Sequence, residues 1–360
     1  MIKYIGSKRA FVRQIVSIVH KFEEVRTVID LFSGTARVGH ALKADGYRVL
    51  ANDSAAYAHL LATCYVQADA EDVARDAQVL INELNQLEGQ DGYFTETFCR
   101  KSRFFQPKNG KRIDAIREAI EGMWLQPELK SVLIVSLMEA ADRVDSTAGL
   151  QMAFLKKWAP RANNNLELRM PAVLPRAESG KGMAFGEDVF DAVEHLQGDA
   201  VYIDPPYNQH SYLGNYHIWE TLARWDKPEV YGIACKREDC RTRGSMFNSK
   251  RAFEHAMQTV LSKVRAPILV VSFNNEGFMN RAHMEEMLSD RGEVVVIEND
   301  YKRYVGAQIG IYNPQGERVG EVSHLRNKEY LYVVAPPARA HILKELVGSK
   351  GIDQKVALSA

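Results

Sequence analysis

The apolar residues Ala200 to Ile203 run straight into Asp204, Pro205, Pro206 and Tyr207. Two consecutive prolines remove two backbone donors and restrict φ, so a sheet ladder has to stop there. The run therefore reads as a buried strand closed by a rigid turn. A carboxylate, two prolyl carbonyls and an aromatic ring stand at its carboxyl end, the edge where open parallel α/β sheets bind ligands.

A second strand-to-turn unit lies near the N-terminus. Phe11, Val12, Ile15, Val16, Val19 and Phe22 recur at helical spacing, and Thr27 to Phe32 is a short apolar run ending in Ser33 and Gly34. Ala36 to Ala44 reads as the next helix and Tyr47 to Ala51 as the next strand, closing at Asn52 and Asp53. Strand, helix, strand is a parallel α/β unit. The strand signal then disappears until Ala200. Between them Ile113, Ile116 and Ile120 mark one amphipathic helix, Leu129 to Ala141 suggests another, and Ala159 to Gly186 has loop composition. Strands return at Ile268 to Phe273, Glu293 to Ile297 and Glu329 to Val334, with a helical pattern over Phe253 to Val264. A mostly helical insertion thus divides a sheet assembled from both ends of the chain. The expected domains are 1–68 with 182–336, an insertion 69–181, and a C-terminal helix or tail 337–360.

Composition narrows the class. With 46% hydrophobic residues, the 360-residue chain can bury a full core. Cys64, Cys99, Cys235 and Cys240 are too scattered for a disulfide framework, which fits a reducing cytoplasm; the Cys235–Cys240 spacing is only a weak metal signal and no metal site is expected. No apolar run is long enough to cross a membrane. Lys plus Arg equals Asp plus Glu at 46 each, so any affinity for nucleic acid has to come from local patches.

The turn from Asp30 to Gly39 carries small residues that let backbone approach a ligand, and the helix start offers free amides. Gly34 and Gly39 have the spacing of a phosphate-binding loop, but His40 and Ala41 stand where that motif places Lys and Ser or Thr. A nucleoside triphosphate is therefore disfavoured. Asp53 sits at about the interval that brings a second-strand carboxylate to a ribose. The same residues also suit an ordinary strand–turn–helix with a capping Asp.

Asp204 and the Pro205 carbonyl form a pair of acceptors for a planar amine. The lone pair of an aromatic amine such as adenine N6 is delocalised into its ring, and the nitrogen becomes cationic as a methyl group arrives. Acceptors on its two hydrogens stabilise that charge. Tyr207 would stack on a base turned out of the duplex. A capping Asp before a proline turn is the plain structural alternative. His217 and Trp219, just beyond, read as core packing.

With these motifs in place, the chain resembles the Dam-like, alpha-group N6-adenine DNA methyltransferases. The resemblance rests on Lys3 to Lys8 (Lys-Tyr-Ile-Gly-Ser-Lys), Asp30 to Gly39, the helical insertion and Asp204 to Tyr207, in that order along most of the chain. It departs from the usual pattern at Thr35 and Ala36, where many members have more glycine. The resemblance implies a Rossmann-like S-adenosylmethionine-dependent methyltransferase sheet with a target-recognition insertion. It implies that Tyr4 and Gly6 approach the donor's methionine part with Lys8 nearby, and that Asp30 faces its amino group within the Phe32, Ser33, Gly34 turn. Asp53 then holds the ribose, and Asp188 and Val189 meet the donor's adenine. Double-stranded DNA is the implied partner, with the enzyme acting as a monomer and a cognate restriction endonuclease as a possible companion. A cytosine N4 or RNA amino methyltransferase, or a non-catalytic specificity subunit, fits the motifs less completely.

Three basic clusters are candidates for DNA contact. Arg100, Lys101, Arg103, Lys108, Lys111 and Arg112 occur without an acid, among Phe98, Phe104 and Phe105 that could wedge against bases. Lys236, Arg237, Arg241, Arg243, Lys250 and Arg251 follow the tetrad, with Glu238 and Asp239 among them, and Ser245 and Asn248 near by. Lys302, Arg303 and Tyr304 form the third. A solvated basic surface over an aromatic mini-core is the competing reading of the first.

Overall fold

A computed structural model describes residues 1–209, 211–302, 311–312, 318–320 and 326–348. The strands are β1 (Thr27–Asp30), β2 (Arg48–Asn52), β3 (Met183–Phe185), β4 (Ala200–Ile203), β5 (Val230–Tyr231), β6 (Lys236–Arg237), β7 (Ile268–Asn274), β8 (Glu293–Lys302), β9 (Ile311–Tyr312), β10 (Arg318–Gly320) and β11 (Arg326–Ala335). Seven form one sheet in the order β3-β2-β1-β4-β7-β11-β8. All neighbours are parallel except β11, which runs antiparallel to both β7 and β8. This is a Rossmann-like methyltransferase sheet.

Side-chain alternation covers both faces. Val28, Tyr202, Val270, Leu331 and Val333 pack in one cluster with the helices Val12–His20, Arg37–Ala44, Ala56–Ala62, Pro127–Asp142 and Ala340–Gly348. Ile29, Val201, Val271 and Val334, one residue out of phase, pack against Val189–His195, Phe253–Lys263 and Arg281–Ser289. Strands buried on both faces read as unbroken apolar runs, which is why β1, β4 and β7 stood out.

The chain leaves β1 toward β2 and β3 on one side and places β4 on the other. The carboxyl ends of β1 and β4 therefore diverge into a crevice. The register pairs Asp30 with Tyr202, so the turn after β1 and the tetrad after β4 open side by side.

One expectation changes. Met183–Phe185, assigned to loop, is an edge strand paired with β2. Three residues between Gly182 and Gly186 show no periodicity, and Gly182 runs so close to its neighbour that a Cβ there would lie 2.7 Å from the Val66 carbonyl oxygen. Within residues 69–181, helix Pro127–Asp142 packs on the sheet. Val132, Leu133 and Met138 of helix Pro127–Asp142 belong to the same cluster as the sheet's own Val28 and Val270. The N-terminal amine pairs with Glu139, and Lys3 Nζ donates to the Asp142 carbonyl at 2.6 Å, tying that helix to the start of the chain. Among the described residues no helix is long and apolar enough to cross a membrane.

Candidate active site

Asp30 ends β1 and is 1% exposed. Its Oδ2 accepts from Ser33 Oγ at 2.9 Å and from the Gly39 amide at 3.1 Å. A Cβ on Gly39 would lie 2.9 Å from Val66 Cγ2 and 3.0 Å from that Asp30 oxygen, so glycine lets the helix start close over the carboxylate. Oδ1 is buried with no hydrogen-bond partner among the described residues. Burial raises the carboxyl to about 6, against the opposing pull of Ser33 and Gly39. Gly34 and Ala36 are both left-handed, at φ +53° and +57°, so the turn keeps a glycine-like conformation at Ala36 without the glycine.

Asp53, at the end of β2, accepts from the Gly34 amide at 2.9 Å and the Ala55 amide at 3.0 Å, pinning two loops together. Burial raises its carboxyl as well. Asn52 bonds the Glu187 backbone in both directions, at 3.2 and 3.3 Å, and places Asp188, whose Oδ1 caps helix Val189–His195 through the Phe190 amide at 3.0 Å. From the N-terminal segment Tyr4 stacks between Tyr212 and Tyr216, with ring centroids 5.3 and 4.4 Å away, and its hydroxyl lies 3.0 Å from that of Tyr57. Gly6 is left-handed at φ +74°, and a Cβ there would lie 2.8 Å from the Tyr212 hydroxyl.

These groups surround a cleft of about 570 Å³, and each of Tyr4, Gly6, Lys8, Asp30, Phe32, Ser33, Gly34, Asp53, Asp188 and Val189 lines it. Asp204 and Pro206 line the same cleft; Pro205 and Tyr207 are not among its walls. Tyr207 instead sets its ring edge-on to Phe273, with centroids 5.1 Å apart, and its hydroxyl accepts from Asn274 Nδ2 at 2.9 Å.

Lys8 is where the arrangement differs most from expectation. Its ammonium is 3.1 Å from Asp204 Oδ1 and 2.7 Å from Glu329 Oε1, and the residue is only 6% exposed. It serves the tetrad's carboxylate directly. Burial opposes its charge, but Asp204 and Glu329 outweigh that and hold it well above the ordinary lysine range. Burial also drives Asp204 up to about 7; Lys8 pulls it down while Glu329 and Asp30 push it further up.

The basic clusters divide. Arg100, Lys101, Arg103 and Lys108 are exposed. Arg100 and Lys111 share Asp91, at 2.5 and 2.9 Å, Lys108 donates to Asn165 Oδ1 at 2.8 Å, and half-buried Arg112 donates to the Asn85 carbonyl at 3.0 Å. Phe98, Phe104 and Phe105 are buried at 0–1% exposure and pack with Phe94, so they form the mini-core and no wedge. Arg237 is also removed from any DNA surface. It is 1% exposed, bonds both Asp226 oxygens at 2.7 Å, and meets Asp239 at 3.0 Å. Asp239 stands within the basic run itself, whereas Asp226 lies outside it. Arg241 lies over the Tyr231 ring at 3.9 Å, Lys236 is half-buried in β6, and Arg243 reaches the cleft wall while pairing with buried Glu220 at 2.9 Å. His217 and Trp219 are core residues at 0% and 2% exposure. Arg303, Tyr304 and the Lys302 side chain lie outside the described residues.

Several residues of the site escaped the motif reading: Tyr57, Tyr212 and Phe247 in the cleft wall and, behind it, Glu329 with Ser272 near Asp204. Glu329 had a usable signal. It shares parity with Leu331, Val333 and Ala335, all core residues on one face, so period-two counting places a carboxylate inside the sheet.

Residues 4–276 match the D12 class N6 adenine-specific DNA methyltransferase family. The chain is 28% identical over 309 residues to the type II methyltransferase M.NlaIII of Neisseria lactamica, covering 84% of this chain and 90% of that one. It is 30% identical over 324 residues to the modification methylase StsI of Streptococcus sanguinis, covering 84% of this chain and 48% of that protein. With M.FokI of Planomicrobium okeanokoites it shares 29% over 310 residues, 81% of this chain and 47% of the relative. The match spans both the turn after β1 and the tetrad after β4, and the chain belongs to the D12 class of N6 adenine-specific DNA methyltransferases.

Proposed function

We propose that this adenine-specific DNA methyltransferase binds S-adenosylmethionine in the cleft between Tyr4, the turn after β1 and Asp188, and holds the target N6 against Asp204 and the Pro205 carbonyl. The observation that carries this is one cleft presenting two differently prepared carboxylates. Asp30 offers a buried oxygen without a partner, which suits the donor's ammonium. Asp204 faces the same space with a cation already on one oxygen. The Asp53 oxygens retain lone pairs for ribose hydroxyls, and Asp188 and Val189 border the space for the donor's adenine. Bound there, S-adenosylmethionine supplies an electrophilic methyl on a sulfonium that leaves as a neutral thioether. The chain's part is to hold the amine in line, accept from its two hydrogens as it becomes cationic, and take up the released proton at Asp204 or water.

DNA has to lie over the rim of this cleft for a base to reach Asp204. The exposed cations Lys101, Arg103 and Lys108 offer phosphate contacts. A second rim element supports the same path. In residues 145–158 the polar Asp145, Ser146, Thr147 and Gln151 turn inward and are buried, while Met152 and Leu155 face solvent at 46% and 38% exposure. The Gln151 backbone N–H donates to the Asn215 carbonyl at 2.8 Å, beside the cleft-lining Tyr212 and Leu213. Apolar side chains displayed by a hydrogen-bonded loop suit contact with base edges or an opened step.

The relatives are named as type II methyltransferases and a modification methylase, and we read this chain as a monomeric modification enzyme of the cytoplasm that works beside an endonuclease of the same recognition sequence. Incubating it with donor labelled in the methyl group and duplex DNA, then digesting to nucleosides, tests the reading: label is expected on adenine N6 within one short sequence. Label on cytosine N4 alone, or on RNA alone, overturns it.

A further inference from the structure

Asp204, Ser272 and Glu329 end three adjacent rows on one face of the sheet. Ala200 and Tyr202 precede Asp204 on β4, Ile268 and Val270 precede Ser272 on β7, and Leu331 and Val333 follow Glu329 on β11, all within one apolar cluster apart from the three polar ends. Lys8 lies across these ends. Its ammonium touches Asp204 at 3.1 Å and Glu329 at 2.7 Å, and Glu329 takes a further bond from Ser272 Oγ at 2.5 Å. Glu329 and Ser272 are buried, at 1% and 0% exposure.

An ammonium has three N–H donors and can bond both carboxylates, but its single charge offsets only one of the two negative charges buried beside it. If Lys8 had Asp204 alone, the ammonium would hold that carboxylate tightly, and the amine of an incoming base would have to compete for it. Glu329 sits on the far side of Lys8, carries the shorter contact, and does not line the cleft. We propose that Glu329 is a positioning residue for methyl transfer: it anchors Lys8 from behind, so that Asp204 is kept ionised by a nearby cation yet remains available to the target amine. This rests on the reading of Asp204 as an acceptor for N6.

The groups facing this cluster are Lys8 from the N-terminal segment, Asp30 from β1, Tyr202 from β4, Tyr207 and Tyr212 beyond it, Ser272 from β7 and Glu329 from β11. Asp204 feels opposite pulls from the two partners. Lys8 favours its charged form, and Glu329 disfavours it.

Two substitutions therefore have opposite signatures in the acid limb of the kcat/KM profile, which reports groups of the free enzyme. Lys8→Met should move the limb up by about one pH unit, and Glu329→Gln should move it down by about one unit while lowering kcat roughly tenfold as Lys8 closes on Asp204. The same opposite displacement is expected in the pH dependence of thermal unfolding, which needs no turnover, and the donor affinity of Glu329→Gln by calorimetry should stay within about twofold. A purely structural Glu329 would lower stability without moving the limb. An active Glu329→Gln enzyme with an unmoved limb, or one displaced in the same direction as Lys8→Met, overturns the proposal. If Glu329→Gln does not fold, Glu329→Asp takes its place. Keeping the charge but withdrawing it by one methylene, it should retain the wild-type limb and lose kcat several-fold, and wild-type kcat overturns the proposal. Wild-type transfer measured in parallel separates the two readings. Without it the assignment of Asp204 fails, whereas a normal wild type beside an unmoved variant fails only the role of Glu329.

Discussion

The carboxyl edge of the sheet and the basic stretch 100–112 hold similar charges in opposite ways. At the sheet edge Lys8, Asp204 and Glu329 are packed into apolar surroundings and bond one another, so their ionisation depends on each other. Along the stretch, Arg100 and Lys111 share Asp91 at 46%, 38% and 49% side-chain exposure, where water and salt weaken every pair. The first region spends stability to prepare one carboxylate. The second keeps cations that can exchange a protein partner for a phosphate at little cost.

The contrast breaks most sharply at Asp204. Asp204→Ala removes the acceptor that develops its full interaction only as N6 becomes cationic, and kcat should fall about a thousandfold. Donor binding should stay within a few-fold, because Asp30, Asp53 and Tyr4 are untouched. Turnover near the wild type in a filter assay with labelled donor would remove Asp204 from the reaction.

Arg237 tests whether a charge in the basic segments can belong to the buried class. Burial works against its guanidinium, and Asp226 and Asp239 outweigh it, so it is held above its ordinary value. Arg237→Ala leaves both carboxylates short of a partner at the foot of the β5–β6 hairpin and should cost about 3 kcal/mol in denaturant unfolding. A loss below about 0.5 kcal/mol would place Arg237 with the exposed cations.

What could be read from the chain alone follows the same division. The strand Ala200–Ile203, the turn Asp30–Gly39 and the position of Asp53 are local patterns, because prolines, glycines and apolar runs act on their own neighbours. Arg237 was misread because its bidentate partner Asp226 lies outside the basic run and becomes informative only once the chain folds back, although Asp239 stood two residues away. Phe98, Phe104 and Phe105 could equally be a wedge or a core until Phe94 packs against them. Glu329 reaches Asp204 only through the antiparallel insertion of β11 beside β7, a register that no local spacing encodes. The short edge strand Met183–Phe185 lacks the length to show a period.

The stability cost at the sheet edge has a sign that can be checked. Asp204 is raised from 3.8 to about 7 in the folded protein, so folding favours its protonated form. Its contribution to stability is fully present below the unfolded value and is lost as pH rises through about 7. Asp204→Asn should therefore be more stable than the wild type at pH 8, by about 2 kcal/mol after allowing for the group's partial exposure, and the advantage should shrink toward pH 6. Taking the difference between the two proteins cancels other titrating groups, including His217, whose burial lowers it to about 3. Methyl transfer by the wild type should decline over the same interval, as Asp204 loses its charge. A stability difference that does not change with pH would mean that the carboxylate is not paying for its position.

The smallest effect belongs to the exposed side. Lys108 and Lys111 make only surface contacts, to Asn163, Asn165 and Asp91, so replacing both with Ala should change folding stability by less than about 0.5 kcal/mol. If both reach phosphates, each releases about one counterion on binding, and the slope of log K against log salt should become shallower by about two. Fluorescence anisotropy with a labelled duplex across a salt series measures it. The loss of affinity should be similar on cognate and unrelated sequences, since phosphate contacts carry no base information. An unchanged slope would leave Lys108 and Lys111 as solvated cations on the aromatic mini-core, and the DNA path would then have to run over Met152 and Leu155 instead.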